Sequence, residues 1–252
     1  MGTDGDERVV LDLLWNGLGR PQRGPRHQLT VEQLVDAAMH AADEEGVRAL
    51  SMRRVAARLG VGAATLYTYV PHRAALLALM ADTMIGRIPL PHTRPGSWRE
   101  RTEAWAAEEM AGFREHPWLV EIDDSRFVGP HAFAWTDSAI RVFDGTGLDG
   151  DAALTVVQAV SGHVRGHVPL VIAEDRAQAW TDPDGRSWGS AQEAFLATHR
   201  PEPGRFPGIE TLREPPTAVD TFEAGLGWLL DGVELRIAHS LEIRRGSPKF
   251  DI

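Results

Sequence analysis

Arg53, Thr65, Tyr67, Thr68 and Tyr69 concentrate hydrogen-bonding chemistry in one short stretch, which includes both tyrosines of the chain. A guanidinium can bond the O6 and N7 edge of guanine in bidentate fashion. Threonine and tyrosine hydroxyls can bond phosphate, and a threonine methyl or aromatic edge can touch a thymine methyl. Such groups suit the surface of duplex DNA. Other polar constellations are weaker. His163 and His167 are four residues apart and share a helix face, a spacing that can hold a metal, but no HExxH-type glutamate flanks them. They read as ordinary polar helix residues, and no metal is expected. Asp182-Pro-Asp-Gly185 resembles the opening of a calcium loop, yet lacks the downstream ligands and reads as a turn. There is no GxSxG elbow, no P-loop and no GxGxxG after a strand, so no catalytic residue, cofactor or enzymatic activity is expected.

The elements that would carry the first group can be read locally. Thr30 with Gln33 forms a capping box, after which Val31, Leu34, Val35, Ala38 and Ala42 recur at helical spacing up to Gly46. Ser51 caps a second helix with Met52, Val55, Ala56 and Leu59 on its apolar face. Gly60-Val61-Gly62 is a tight turn, Ala63 to Tyr69 a third helix, and His72 to about Gly86 a fourth after the break at Pro71. Two short helices joined by a glycine turn form a helix-turn-helix, with the third helix free to enter a major groove. On pattern alone, three short helices in an ordinary bundle fit equally well.

The chain has 252 residues, a net charge of −10 and no cysteine. This excludes disulfides and thiolate metal sites. Charge is uneven: residues 20–87 hold nine arginines against six acidic residues, whereas 88–252 are strongly acidic. A mildly basic head on an acidic body is compatible with nucleic-acid binding. The acidic N-terminus lacks the basic start of a signal peptide, and no uninterrupted apolar run reaches the length of a membrane span. A cytoplasmic protein without a membrane partner is expected.

Residues 50–77 (LSMRRVAARLGVGAATLYTYVPHRAALL), preceded by AMHAADEEG at 38–46, resemble the DNA-binding domain of the TetR (tetracycline repressor) family. Leu13-Leu-Trp15 and Arg23-Gly-Pro-Arg26 resemble an actinobacterial subgroup with an N-terminal extension. The resemblance implies an all-α fold: an extension at 1–28, a helix-turn-helix domain at 29–87 that includes a linking helix, and a helical ligand-binding and dimerisation domain at 88–252. It also implies that Thr65, Tyr67, Thr68 and Tyr69 lie on the recognition helix. Arg53 stands where the tetracycline repressor has a base-reading arginine, and Ser51 and Arg73 would hold phosphates. Tyr67 has a second reading as a partly core residue, while Leu66 and Val70 read as core. Arg20, Arg23 and Arg26 form a Gly- and Pro-rich arm that either tracks DNA or is a solvated linker. The short stretch Val9 to Trp15 reads as a helix needing a docking surface.

Beyond the head, a capping box at Ser97/Glu100 opens a helix to about Glu115, followed by helical stretches at Pro117–Asp123, Pro130–Phe143, 149–175, 191–199 and 217–244. Pro169 is expected to break or kink the fourth of these, and residues 200–216 to be loop. By resemblance, helices 149–175 and 217–244 pair with their copies into a homodimer, and Gly162, Gly166, Gly225 and Gly227 would permit close helix approach. Trp105, Phe113, Trp118, Phe133, Trp135, His163 and His167 are the candidates for lining an effector pocket, with Trp180 and Trp188 as further aromatic positions. The function implied is a ligand-responsive regulator, a repressor that binds a pseudo-palindromic operator as a homodimer and is released by a small molecule, with coupling through residues 72–86. The alternative is a helical module that binds small molecules or proteins without sequence-specific DNA binding.

Overall fold

The computed structural model describes residues 4–17, 29–122, 129–179, 194–195, 197–199, 202–211 and 217–246, and no strand occurs among them. Arg20, Arg23, Arg26, Trp180, Trp188 and the Asp182–Gly185 turn lie outside the described residues.

The N-terminal helices form where local signals place them. Helix α1 (Asp4–Asp12) runs into a π-helical turn, Leu13–Gly17. Helix α2 (Val31–Glu45) begins at Thr30, whose side chain accepts from the Gln33 amide while the Gln33 side chain accepts from the Thr30 amide. Helix α3 (Met52–Arg58) is capped by Ser51, whose Oγ accepts from the Arg54 amide. It ends at Gly60, whose φ of 68° is a left-handed conformation that a side chain would strain. Helix α4 (Ala63–Tyr67) follows, and α5 (Arg73–Gly86) starts at His72, whose Nδ1 accepts from the Ala75 amide.

These elements share one apolar core built on Leu34, Val35, Val55, Leu66, Val70, Leu76 and Leu79. Val10 and Leu14, each 1% exposed, belong to the same core, so the extension docks on the head. Trp118 and Ile122 enter it from the body, across the 87/88 boundary. By length and composition alone, Arg73–Thr93 is apolar enough to cross a membrane. In the fold, this segment is the linking helix and its continuation, with Ala75, Leu76, Ala78, Leu79 and Met80 buried.

The body comprises α6 (Trp98–Glu115), a 3₁₀ turn (Pro117–Glu121), α7 (Pro130–Arg141), α8 (Gly150–Ala179), the short α9 (Pro207–Glu210) and α10 (Ala218–Gly246). Ser97 and Glu100 close both halves of a capping box on α6. One core joins α6, α8 and α10 around Trp105, Val160, Val164 and Leu230; a second joins α7, α8 and α10 around Phe143 and Val157. Two expectations require correction. Helix α8 runs through Pro169 without a break, since buried Val168 and Val171 hold both flanks in the core against the loss of one amide donor. Residues 207–210 form a helical turn inside the expected loop, with Pro207 at its start, where a missing amide costs nothing.

Candidate DNA-reading surface and ligand cavity

On the head, the buried faces of α3 and α4 dictate what remains outside. Leu66 and Val70 are fully buried and anchor the recognition segment. Thr65, Tyr67 and Thr68 therefore turn outward; Tyr67 is 53% exposed. Tyr69 is half-buried against the head core. Thr68 Oγ1 donates to the Thr65 carbonyl at 2.6 Å, closing the end of α4.

The arginines divide sharply. Arg54 pairs with Glu45 and Arg58 with Glu44, and the Arg58 guanidinium is held above its ordinary pKa chiefly by its hydrogen bond to Glu44. Arg53 is exposed and makes no such pair among the described residues. Arg73, for which a phosphate-holding role is implied, also bonds within the head. Its Nε donates to the Leu50 carbonyl at 3.0 Å and its Nη2 to the Val47 carbonyl at 2.5 Å, tying α5 to the turn before α3. Ser51 likewise spends its side chain on the α3 cap.

In the body, α5, α6, α7 and α8 enclose a cavity of about 630 Å³, a size that suits a multi-ring small molecule. Trp105, Phe113 and Trp135 line it, together with Met84 and Ile85 from the linking helix and Ile88 just after it. Trp105 and Trp135 meet edge to face at 5.2 Å, and both indole Nε1 atoms are buried without a hydrogen-bond partner. The lining also carries ionisable side chains, Arg87, Glu108, Glu109, Glu115, His116 and Arg165. Arg165 stands over the Phe113 ring at 5.5 Å, with its Nε 4.0 Å from Glu109 Oε1, and Glu108 pairs with Arg94.

Four other candidates lie elsewhere. Trp118 is buried in the head core, and its indole donates to Asp43 Oδ1 at 2.5 Å. Phe133 is 55% exposed and packs edge-on to Trp15 of the extension. His163 bonds the Phe222 carbonyl at 2.8 Å and stacks on the Phe222 ring, and His167 bonds the His163 carbonyl at 2.9 Å. This histidine pair cements α8 to α10, and Gly225 makes room for it: a Cβ there would stand 2.6 Å from His163 Cε1. The linking helix, expected to couple head and pocket, supplies Ala81, Met84 and Ile85 to the cavity wall, residues that periodicity alone does not single out.

Comparison with known proteins fits this geometry. The model for bacterial regulatory proteins of the tetR family matches residues 34–80, and that for the tetracyclin repressor-like C-terminal domain matches residues 90–237. The chain is 36% identical over 96% of its length to the HTH-type transcriptional repressor DrrR1 of Streptomyces coeruleorubidus, covering 89% of that protein. It is 34% identical over 59% of its length to an HTH-type transcriptional regulator of Saccharopolyspora erythraea, covering 64% of that protein. Among solved structures, the TetR family protein ActR of Streptomyces coelicolor in complex with actinorhodin superposes with a TM-score of 0.69 at 26% identity, over 84% of this chain and 99% of that one. A helix-turn-helix head, a linking helix that forms one wall of a body cavity, and family matches spanning both halves lead to one conclusion: the chain is a transcriptional regulator of the TetR family.

Proposed function

We infer that the protein is a repressor that binds a pseudo-palindromic operator as a homodimer in the cytoplasm and leaves it when a small molecule fills the body cavity. The observation that carries this reading is the linking helix: α5 contributes buried residues to the head core and Ala81, Met84 and Ile85 to the cavity wall. An occupant of the cavity therefore touches an element that shares its apolar core with the recognition helix. The proposed division is an extension at 1–28, a head at 29–87 and a body at 88–252.

Arg53, Thr65, Tyr67, Thr68 and Tyr69 are proposed to face the DNA, with Arg53 reading a base and the hydroxyls holding phosphates. Ser51 and Arg73 support that surface, positioning α3 and α5. Arg20, Arg23 and Arg26 are proposed as a DNA-tracking arm. The dimer is proposed to form through α8 and α10. Their outward faces carry Leu170 at 55%, Trp228 at 75% and Leu235 at 74% exposure, and open space lies beyond Gly162, Gly166 and Gly227. Large exposed apolar side chains on two long helices call for a partner surface.

The effector is proposed to be a multi-ring aromatic molecule bearing oxygen acceptors. Aromatic rings and aliphatic side chains supply the stacking surface, and two buried indole donors lack acceptors. The similar fold of ActR, solved in complex with actinorhodin, supports a small-molecule occupant in this body. The test is reciprocal linkage: operator affinity is measured with and without saturating actinorhodin as the first probe, and actinorhodin affinity with and without operator. Ligand and DNA should weaken each other by the same factor. Operator affinity unchanged at saturation would refute release by a cavity ligand.

A further inference from the structure

The head touches the body at a second place besides α5. Asp36 and Asp43 stand two helical turns apart on α2 and present carboxylates to the body. Asp36 Oδ1 accepts from Arg87 Nη2 at 2.6 Å. Asp43 Oδ1 accepts from Trp118 Nε1 at 2.5 Å and stands 2.7 Å from His116 Nδ1. Arg48 adds a bond to Glu121 at 2.6 Å. Two of the groups that face α2, Arg87 directly after α5 and His116 at the end of α6, also line the cavity.

We propose that this seam is a latch: Asp36 and Asp43 hold the head against the rim of the cavity, and an occupant that displaces Arg87 and His116 frees α2. The inference rests on the reading of the cavity as the effector site and adds a route to the head through α2, anchored at the end of α5 by Arg87 and, independently of α5, by His116 and Trp118. Its parts differ in strength. The Arg87–Asp36 pair is half-exposed and solvated, hence weak on its own. The Asp43 contacts are more sheltered, with the His116 side chain 18% exposed and Trp118 buried. Hydrogen bonds of this kind fail when donor and acceptor part by about 1 Å, so a small displacement at the rim is enough to open the latch. Asp43 serves two donors with one oxygen, and moving His116 at the end of α6 also moves the chain that carries Trp118. An occupant need only favour the open arrangement to shift the population of head positions.

The chain has no cysteine, so labels can be placed at will. Ala57→Cys on α3 and Ala107→Cys on α6, both exposed, report the head-to-body distance by double electron–electron resonance in the full chain, diluted with unlabelled protein. The cavity can be filled without knowing the effector. Gly112 lines it, and an added side chain there meets no atom within 4 Å, so Gly112→Leu places a covalent occupant one turn before His116. The latch predicts that Gly112→Leu and the Asp36→Asn/Asp43→Asn pair each shift the distance distribution or at least double its width. Combining them should add little further change. Trp118→Phe, which keeps the ring in the head core, should give a smaller change of the same kind with the fold intact by circular dichroism. A Gly112→Leu distribution like that of wild type, or full additivity with the aspartate variants, would overturn the latch. Operator selection by the wild type is read separately: its absence defeats the regulator reading while the distances still decide the latch.

Discussion

Asp82 of the linking helix and His131 of α7 meet at 2.9 Å, carboxylate to Nδ1, in a joint closed on both sides by glycine. Asp82 is 3% exposed and also accepts from the Ala132 amide at 3.0 Å, so it caps α7, whose own N-cap residue, Gly129, offers no side chain. A Cβ at Gly129 would run into the Asp82 carboxylate, and one at Gly86 would stand 2.7 Å from the His131 ring. Replacing Asp82 with Ala removes a cap and a buried charged acceptor together. The expected loss is about 2–3 kcal/mol by urea unfolding. A loss below about 0.5 kcal/mol, the range of an inert surface change, would show that the joint carries no strain-bearing contact.

Arg53 and Arg73 should separate binding from stability. Arg53→Ala touches no intrachain partner among the described residues, so its melting curve should match wild type while operator binding falls by about 1–3 kcal/mol. Arg73→Ala deprives two carbonyls of their donor and should cost about 1–2 kcal/mol of stability. The reverse pattern in paired melting and DNA-titration experiments would reassign both.

The extension should behave as part of the head. Leu14 is 1% exposed in the head core, so Leu14→Ala is expected to cost about 2–5 kcal/mol in chemical unfolding. Deletion through residue 17 should likewise lower the melting temperature. An unchanged melt would mean that the extension is a mere passenger.

Trp228→Glu with Leu235→Glu places charge on the proposed dimer face. Light scattering should give twice the mass of one chain for wild type and the mass of one chain for the variant, which should also lose high-affinity operator binding. A variant that remains dimeric would move the interface elsewhere.

Acid should loosen two helix starts. Hydrogen bonds from Ser97 hold the Glu100 carboxyl below its ordinary pKa, and those from Thr217 do the same for Asp220. Because both pKa values are depressed on folding, their stabilising contribution is present above the unfolded values and fades as pH falls through the folded ones. Carboxyl titration by NMR should place Glu100 below the usual glutamate range, and Glu100→Gln should flatten the acid limb of stability.

Local signals were legible in the sequence where the chemistry is local. The Thr30/Gln33 and Ser97/Glu100 boxes, the Ser51 cap and the left-handed Gly60 all depend on residues within three positions, and each formed as read. What escaped the sequence depends on distant partners. Trp118 finds Asp43 across 75 positions of chain, so its indole reads equally well as pocket lining until the head is docked. Pro169 looks like a break because periodicity cannot weigh one lost amide bond against two buried valines. The resemblance implies that 72–86 couples head to pocket, but not which of its residues, Ala81, Met84 and Ile85, line the space: an apolar helix face does not announce whether it meets a core or a space.

The central claim is best tested by selecting operators from a random-sequence DNA pool at fixed salt, with wild type and Arg53→Ala in parallel. The account predicts that wild type enriches a pseudo-palindrome, and that Arg53→Ala binds it about tenfold or more weaker, with relaxed preference at one G·C pair in each half-site. No enrichment by wild type, or an identical site bound equally well by Arg53→Ala, would contradict it.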